Sequence, residues 1–165
     1  DGMDPANVVF AGDSAGGGLA LACAVAARDQ GLALPAGLLL YSPWADLTCS
    51  GETMRTMAKA DVMFNPHSLP EAAAYYLNGT PATHPLASPL FAEMGGMPPM
   101  MVFASEHEIL LSDSTRLHER AKAQGVQSTL HLKPKMPHVW PTMLMLPEAR
   151  ATLKACGEFI AARTR

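Results

Sequence analysis

The sequence predicts an α/β fold in which a mostly parallel sheet is flanked by helices. Short apolar runs alternate with helical segments along the 165 residues, which is the order that consecutive strand–helix–strand units produce. One run, residues 37–42, is almost continuously apolar, as expected of a parallel strand that is covered on both faces. Right-handed crossovers between such strands would place them side by side in one sheet.

The first part of the chain predicts two strands joined by a helix. Residues 7–12 predict a short buried strand bounded by turn residues. Residues 15–30 predict a helix rich in Ala and Leu, which Gly31 ends. Residues 37–42 form the second predicted strand, which ends at Pro43.

Residues 44–99 form an irregular excursion between the second and third strands. Prolines interrupt it repeatedly, and only residues 70–77 have a clear helical pattern. The excursion nevertheless carries large apolar side chains that need burial, namely Phe64, Tyr75, Tyr76, Leu86, Leu90 and Phe91. We therefore expect it to pack against the rest of the chain rather than to act as a linker.

The last part of the chain completes the alternating order. It predicts a third strand over 99–104, a helix over 112–124, a fourth strand over 128–132 and a terminal amphipathic helix over 148–162. Asp113 falls in the first turn of the helix predicted over 112–124, where the helix dipole stabilises a carboxylate.

Composition excludes several classes of protein. A hydrophobic content of 48% and a net charge of −3 exclude a disordered chain. No basic stripe is present, so we expect no nucleic-acid partner. The longest uninterrupted apolar run, residues 19–27, is much shorter than the ~18 residues that a membrane span needs.

The three cysteines are too widely spaced for a metal site or a disulfide framework. Cys23 lies in the predicted first helix, where we expect it to be a small buried apolar residue. This cysteine usage favours a reducing, cytoplasmic compartment.

The strongest motif is G-x-S-x-G, formed by residues 12–16 at the junction of the first strand and helix. Such a junction holds its serine, here Ser14, in a strained turn with the hydroxyl exposed above the sheet. The alternative is a phosphate-binding glycine-rich turn, but neither a Walker lysine nor G-x-G-x-x-G follows. We therefore predict that Ser14 is a nucleophile.

The residues around Ser14 have predictable roles in such a turn. Gly12 and Gly16 would remove side chains that clash, while Gly17 and Gly18 would let the helix pack closely. The N–H of Ala15 lies at the helix N-terminus, where it can donate a hydrogen bond to an oxyanion.

A serine nucleophile needs a histidine base, and His138 is the best placed of the six histidines. It lies in a loop that follows the fourth strand, after both Ser14 and the candidate acids. In hydrolases whose nucleophilic serine lies in such a strand-to-helix turn, the acid follows the serine along the chain and the histidine comes last. The others lie in the excursion, among the candidate acids, or within a helix or strand: His67, His84, His107, His118 and His131.

The carboxylate that orients the base should follow the third strand. Glu106, Glu108 and Asp113 are the candidates in that segment. Asp113 fits better as a helix N-terminal acid. Spacing alone leaves Glu106 and Glu108 as alternatives.

Several motifs, in this order, resemble those of the bacterial hormone-sensitive-lipase family of esterases. They are residues 12–17, 41–47, 86–90, 108–111 and 136–140. The resemblance implies an α/β-hydrolase fold with a cap over the site, and residues 1–165 as one catalytic domain. It also implies hydrolysis of short-to-medium acyl esters through an acyl-enzyme, without a cofactor or metal.

Residue by residue, the resemblance implies that Ser14 is the nucleophile, His138 the base and Glu108 the acid. Glu108 stands where the family commonly has Asp, and Asp13 would help to shape the turn. Trp44 is a further candidate for the substrate pocket.

The segment beside the base offers two more pocket candidates. Trp140 and Met143 follow His138 closely in the chain and would line an acyl pocket. Ordinary core packing is the alternative for both residues.

The family's upstream His-Gly-Gly-Gly loop, which donates further N–H groups to the oxyanion, has no counterpart in the 165 residues. We therefore expect the C-terminal half of the fold, with the first strand as an exposed apolar edge. The missing partner would be an N-terminal piece of the same protein or a second copy. Because each oxyanion donor contributes ~10²–10³ in rate, we expect this chain alone to be a weak catalyst.

Two other functions fit the same fold. One is a non-catalytic protein that binds a small molecule, although such a protein has no need of a base. The other is an amidase or formamidase that uses the same three side chains.

Overall fold

Four parallel strands in one sheet form the centre of the molecule. The computed structural model describes residue 2 and residues 4–164. The strands are β1 (Val9–Asp13), β2 (Gly37–Tyr41), β3 (Met100–Ser105) and β4 (Ser128–Lys133), and they lie in the order β1-β2-β3-β4. All three pairings are parallel, so the predicted α/β class with a parallel sheet is confirmed.

Helices connect and cover the strands. They are α1 (Ala15–Asp29), α2 (Thr53–Thr56), α3 (Ser68–Leu77), α4 (Leu111–Ala123) and α5 (Pro147–Ala161). Short 3₁₀ turns at Pro5–Asn7, Pro89–Phe91 and Trp140–Thr142 complete the regular structure of the described residues.

The first strand begins later than predicted. Residues 5–7 form a 3₁₀ turn instead, because the Asp4 carboxylate accepts the N–H of Ala6 at 2.9 Å and Pro5 stands at the start of the turn. In the excursion, α2 was not predicted. The helix predicted over 70–77 is α3, which already begins at Ser68; it accommodates Pro70 because a proline in the first turn of a helix needs no N–H partner.

Apolar side chains alternate between the two faces of the sheet. Leu38 and Leu40 pack with α1 and α4 on one face, in a core that also holds Leu21 and Leu117. Leu39 points to the other face. This double coverage explains why the β2 run is apolar without alternation.

The opposite face of the sheet is covered mainly by α5. Its core joins Phe103 and Trp140 to Cys156 and Phe159. Gly37 belongs to this contact, since a Cβ there would lie 2.8 Å from the Phe159 ring.

The excursion packs over the region where β3 leads into α4, which confirms that it is not a linker. Its side chains Trp44, Leu47, Met54 and Leu69 form a third cluster with Ile109 and Leu110. The excursion is therefore part of the folded body. The predicted burial was wrong for Tyr75, Tyr76 and Leu86, which are exposed on the surface of the excursion.

Strand β1 is the edge of the sheet formed by the described residues. Val9 and Phe10 are half-buried and Ala11 is exposed, as expected for an apolar edge. The prediction for Cys23 was wrong: this side chain is exposed on α1, because Ala22 and Ala24 on either side of it face the core. No helix among the described residues is long and apolar enough to cross a membrane.

Candidate active site

Four side chains of interest follow the carboxyl ends of the four strands. Ser14 follows β1, Ser42 follows β2, Glu108 follows β3 and His138 follows β4. Because parallel strands end at the same edge of a sheet, all four lie along one edge, where α/β proteins place their binding sites.

Ser14 occupies a strained turn, as the G-x-S-x-G motif predicts. Its φ and ψ of 52° and −122° lie outside the regions favoured for a residue with a side chain. Hydrogen bonds hold this conformation: the Ser14 N–H donates to the Tyr41 carbonyl at 2.9 Å, and the Ser14 carbonyl accepts the Trp44 N–H at 2.8 Å. The turn is therefore fixed by the last residue of β2 and by the segment that follows it.

Close backbone contacts require two of the glycines around the turn. A Cβ on Gly12 would lie 2.2 Å from the Gly16 carbonyl oxygen, and one on Gly18 would lie 2.1 Å from the Trp44 carbonyl oxygen. The predicted clash at Gly16 was wrong, since the nearest atom to its Cβ position is 4.0 Å away. Ala15 is the first residue of α1, so its N–H has no acceptor within the helix.

Glu108 and His138 form a buried pair. The Oε2 atom of Glu108 lies 3.0 Å from Nδ1 of His138, and the two residues are 0% and 2% exposed. Glu106 is exposed. The geometry therefore places Glu108, and not Glu106, against the histidine that follows β4.

The pairing leaves the other ring nitrogen of His138 available. When Nδ1 donates to a carboxylate, neutral imidazole carries its lone pair on Nε2. That Nε2 is buried and has no hydrogen-bond partner among the residues that the structure describes, Ser14 included. A neutral ring that donates from Nδ1 to Glu108 would therefore have Nε2 free to accept a proton.

Ser42 contacts the Glu108–His138 pair, although the sequence assigned it no role beyond its place in the 41–47 motif. Its hydroxyl donates to Glu108 Oε2 at 2.9 Å and accepts the N–H of Val139 at 3.1 Å. The side chain is completely buried. The sequence offers only a weak signal for it, a serine before a proline at the end of a predicted strand.

The excursion also reaches the Glu108–His138 pair. Asp61 accepts the N–H of Ile109, next to Glu108, at 2.9 Å, and it accepts the Phe64 N–H at 3.1 Å. The rings of Phe64 and His138 contact each other edge to face, with their centroids 4.8 Å apart. Phe64 was predicted only to need burial, and no sequence pattern indicated Asp61.

Asp113 does more than complement the dipole of α4. Its Oδ2 accepts the N–H groups of Ala45 and Asp46, both at 2.9 Å. Burial raises the pKa of Asp113 to about 7, and the nearby charge of Asp46 adds to the effect. Asp113 therefore anchors the segment that carries Trp44.

An apolar pocket of about 250 Å³ opens beside the Ser14 turn. Ala15, Gly16 and Gly18 form one wall, while Trp44 and residues of the excursion form the other. The location of Trp44 is consistent with its predicted role in a substrate pocket.

The other two pocket candidates lie elsewhere. Trp140 is 1% exposed and packs against Phe103 in the core beneath α5, because the 3₁₀ turn after His138 directs it into the sheet. Met143 is half-buried and does not line this pocket. Within the described ranges, no group of three or more His, Cys, Asp or Glu side chains could hold a metal ion.

A sequence model of a protein family with the alpha/beta hydrolase fold matches residues 1–142, and this match decides the family of the chain. The chain belongs to the α/β-hydrolase family. Its resemblance to the bacterial hormone-sensitive lipases is confirmed by the solved structure of an esterase from that family. The two share 41% identity with a TM-score of 0.96, over 99% of this chain and 56% of the other.

Other α/β-hydrolase relatives are similar over the same extent. An acetyl-hydrolase of Streptomyces hygroscopicus is 38% identical over 99% of this chain and 55% of its own length. An esterase of Acinetobacter venetianus is 34% identical over 96% of this chain and 53% of its own length. The chain therefore spans about half the length of the relatives that it matches.

Proposed function

We propose that this α/β-hydrolase chain carries the catalytic groups of a carboxylic ester hydrolase. The buried Glu108–His138 pair, at the same sheet edge as the strained Ser14 turn, is the observation that carries the proposal. Relatives named as esterases and an acetyl-hydrolase support the same class of reaction.

In the first half of the reaction, Ser14 Oγ attacks the ester carbonyl carbon while His138 Nε2 accepts its proton. The carbonyl oxygen becomes an oxyanion, to which the Ala15 N–H at the helix N-terminus donates a hydrogen bond. The C–O bond to the alcohol then breaks, and the imidazolium returns the proton to the leaving alkoxide. Glu108 holds the imidazole tautomer and stabilises the imidazolium.

In the second half, water hydrolyses the acyl-enzyme. His138 Nε2 removes a proton from the water, whose oxygen attacks the acyl carbon, and then gives the proton to Ser14 Oγ as that bond breaks. The products are a carboxylic acid and the regenerated serine, so the cycle needs no cofactor.

The apolar pocket beside Ala15 and Gly16 supports short-to-medium acyl groups as substrates. Trp44 and Leu47 give it apolar walls, and the residues of this chain enclose about 250 Å³ there. An acyl chain that lies there would have its carbonyl carbon near the Ser14 turn.

The test uses the protein expressed from its complete coding sequence, with p-nitrophenyl esters of increasing acyl length. We expect hydrolysis that declines for long acyl chains, and labelling by a fluorophosphonate probe. Ser14→Ala should abolish both, whereas Ser68→Ala, at an exposed serine of the excursion, should change neither. Hydrolysis that persists in Ser14→Ala would contradict the proposal.

A parallel measurement separates ester hydrolysis from the two alternatives. Matched p-nitroanilides should react far more slowly than the esters if the chain belongs to an esterase rather than an amidase. A protein that binds a small molecule without catalysis would leave the fluorophosphonate probe unreacted.

A further inference from the structure

Ser42 occupies a junction between the candidate acid and the candidate base. It follows β2 directly, and its N–H donates to the Phe103 carbonyl at 2.7 Å, which extends the pairing of β2 with β3. Its side chain points into the space between Glu108 and the residue after His138. The position is therefore tied to the sheet on one side and to the site on the other.

The hydroxyl of Ser42 closes a ring of hydrogen bonds. It donates to Glu108 Oε2 at 2.9 Å, and the same Oε2 pairs with His138 Nδ1 at 3.0 Å. The ring closes through the peptide bond from His138 to Val139, because the Val139 N–H donates back to the Ser42 hydroxyl at 3.1 Å. One hydroxyl thus contacts the acid and the backbone of the base loop.

The backbone conformation of Ser42 would favour glycine, so the presence of a serine at this position needs another reason. Its φ of 47° lies in the left-handed region, where glycine pays the smallest steric cost. A serine in that conformation is justified if the side chain makes contacts that glycine lacks. The two hydrogen bonds of the buried hydroxyl are such contacts.

The carboxylate of Glu108 depends on this contact for its orientation. Oε2 accepts from both Ser42 and His138, while the buried Oε1 has no hydrogen-bond partner within the part of the chain that the structure describes. Without the Ser42 hydroxyl, only the histidine would distinguish Oε2 from Oε1. The carboxylate would then be free to rotate and would fix the imidazole less firmly.

We propose that Ser42 is a positioning residue of the hydrolase site: its hydroxyl orients the Glu108 carboxylate and ties down the backbone that follows His138. This inference rests on the proposed ester hydrolysis. Ser42 acts through the acid–base pair and does not touch the substrate, so its loss lowers the rate of the chemical steps and leaves substrate binding unchanged.

The experiment compares Ser42→Ala and Ser42→Gly in the protein expressed from its complete coding sequence. Both variants lack the hydroxyl, but only glycine relieves the left-handed strain. We expect kcat for a p-nitrophenyl ester to fall about 10- to 100-fold in both variants, the size expected for a hydrogen bond to a charged group. KM should remain unchanged, and thermal unfolding of Ser42→Gly should verify that it is folded.

A second readout does not depend on turnover. We expect a His138 Nδ1 proton held against the buried carboxylate to give a far-downfield proton resonance in the wild-type protein, and this resonance should shift or broaden in folded Ser42→Gly. Wild-type kcat and an unchanged resonance in Ser42→Gly would overturn the role of Ser42. A wild-type protein that hydrolyses no ester but loses the resonance on Ser42→Gly would instead overturn only the proposed reaction.

Discussion

Asp113 holds the backbone of Ala45 from a distance of 68 residues along the chain, with Oδ2 2.9 Å from the Ala45 nitrogen. The same oxygen accepts the N–H of Asp46. This carboxylate joins the first turn of α4, just beyond Glu108, to the segment that carries Trp44. It thus links the start of α4 to the wall of the apolar pocket, and its burial has a consequence for the pH dependence of stability.

Asp113→Asn should reduce the pH dependence of the free energy of unfolding. Burial raises the pKa of folded Asp113 from 3.8 to about 7, so the folded protein keeps a proton that the unfolded chain has released. The wild-type free energy of unfolding therefore falls as the pH rises from 3.8 to 7, by at most about 4 kcal/mol from this group. Asparagine keeps an acceptor for both N–H groups but does not titrate.

Urea unfolding at a series of pH values would measure this difference. The stability of Asp113→Asn relative to the wild type should increase as the pH rises through that range. Asp113→Leu provides the control for the hydrogen bonds, since it leaves two buried N–H groups without an acceptor and should destabilise at every pH. Parallel pH curves for wild type and Asp113→Asn would contradict the prediction.

Arg116→Met should destabilise the protein at neutral pH. Arg116 donates to the fully buried Asp46 carboxylate at 2.8 Å. Burial alone would raise the pKa of Asp46, but hydrogen bonds from Ser50, Thr48 and Arg116 outweigh it and lower the pKa. Since Arg116 is partly exposed, we expect a loss of about 1–3 kcal/mol in the free energy of unfolding.

The effect of Arg116→Met should depend on pH in the opposite sense to that of Asp113. A lowered pKa means that Asp46 contributes its stability above the unfolded value of 3.8 and loses it as the pH falls further. The difference between variant and wild type should therefore shrink in acid. Asp29→Asn, which breaks a more exposed ion pair with Arg28, should change stability by less than about 1 kcal/mol.

Local patterns were sufficient to predict the sheet and the Ser14 turn. The apolar runs, the stop residues Gly31 and Pro43, and G-x-S-x-G each act within a few residues of the chain. The exact start of β1 was missed because the Asp4 carboxylate captures a local N–H and favours a 3₁₀ turn.

The contacts that complete the site join segments far apart in sequence. Ser42 bonds to Glu108 over 66 residues and to Val139 over 97 residues, and no spacing rule predicts such pairs. The exposure of a side chain likewise depends on segments that are distant in sequence. Cys23 lies on a helix so rich in Ala that sequence alone does not distinguish the buried face of the helix. Trp140 was assigned to the pocket only by its proximity to His138 in the chain.

Glu108→Gln should remove most of the proposed ester hydrolysis. Glutamine keeps the shape of the side chain but no longer stabilises an imidazolium or selects the tautomer that His138 needs. We expect kcat to fall roughly 10³–10⁴-fold, as for other triads that lose their acid. Steady-state kinetics with p-nitrophenyl esters would measure the loss.

Glu106→Gln is the matched control, because Glu106 is exposed two residues away and its side chain does not pair with His138. It should retain wild-type kcat. Equal losses in the two variants would show that the acid is not selected by this geometry.

The same substitution, glycine to alanine, should have opposite effects in two helices. In α1, a Cβ on Gly18 would lie 2.1 Å from the Trp44 carbonyl oxygen, so the helix or the Trp44 segment must move. In α5, a Cβ on Gly157 meets no atom within 4 Å.

We expect Gly18→Ala to lower the free energy of unfolding by about 1–3 kcal/mol, the usual cost of overpacking. Gly157→Ala should raise it by about 0.5–1 kcal/mol, because alanine is the better helix former. Chemical denaturation of both variants would test the pair, and stabilisation by Gly18→Ala would mean that α1 and the Trp44 segment are not in the close contact described above.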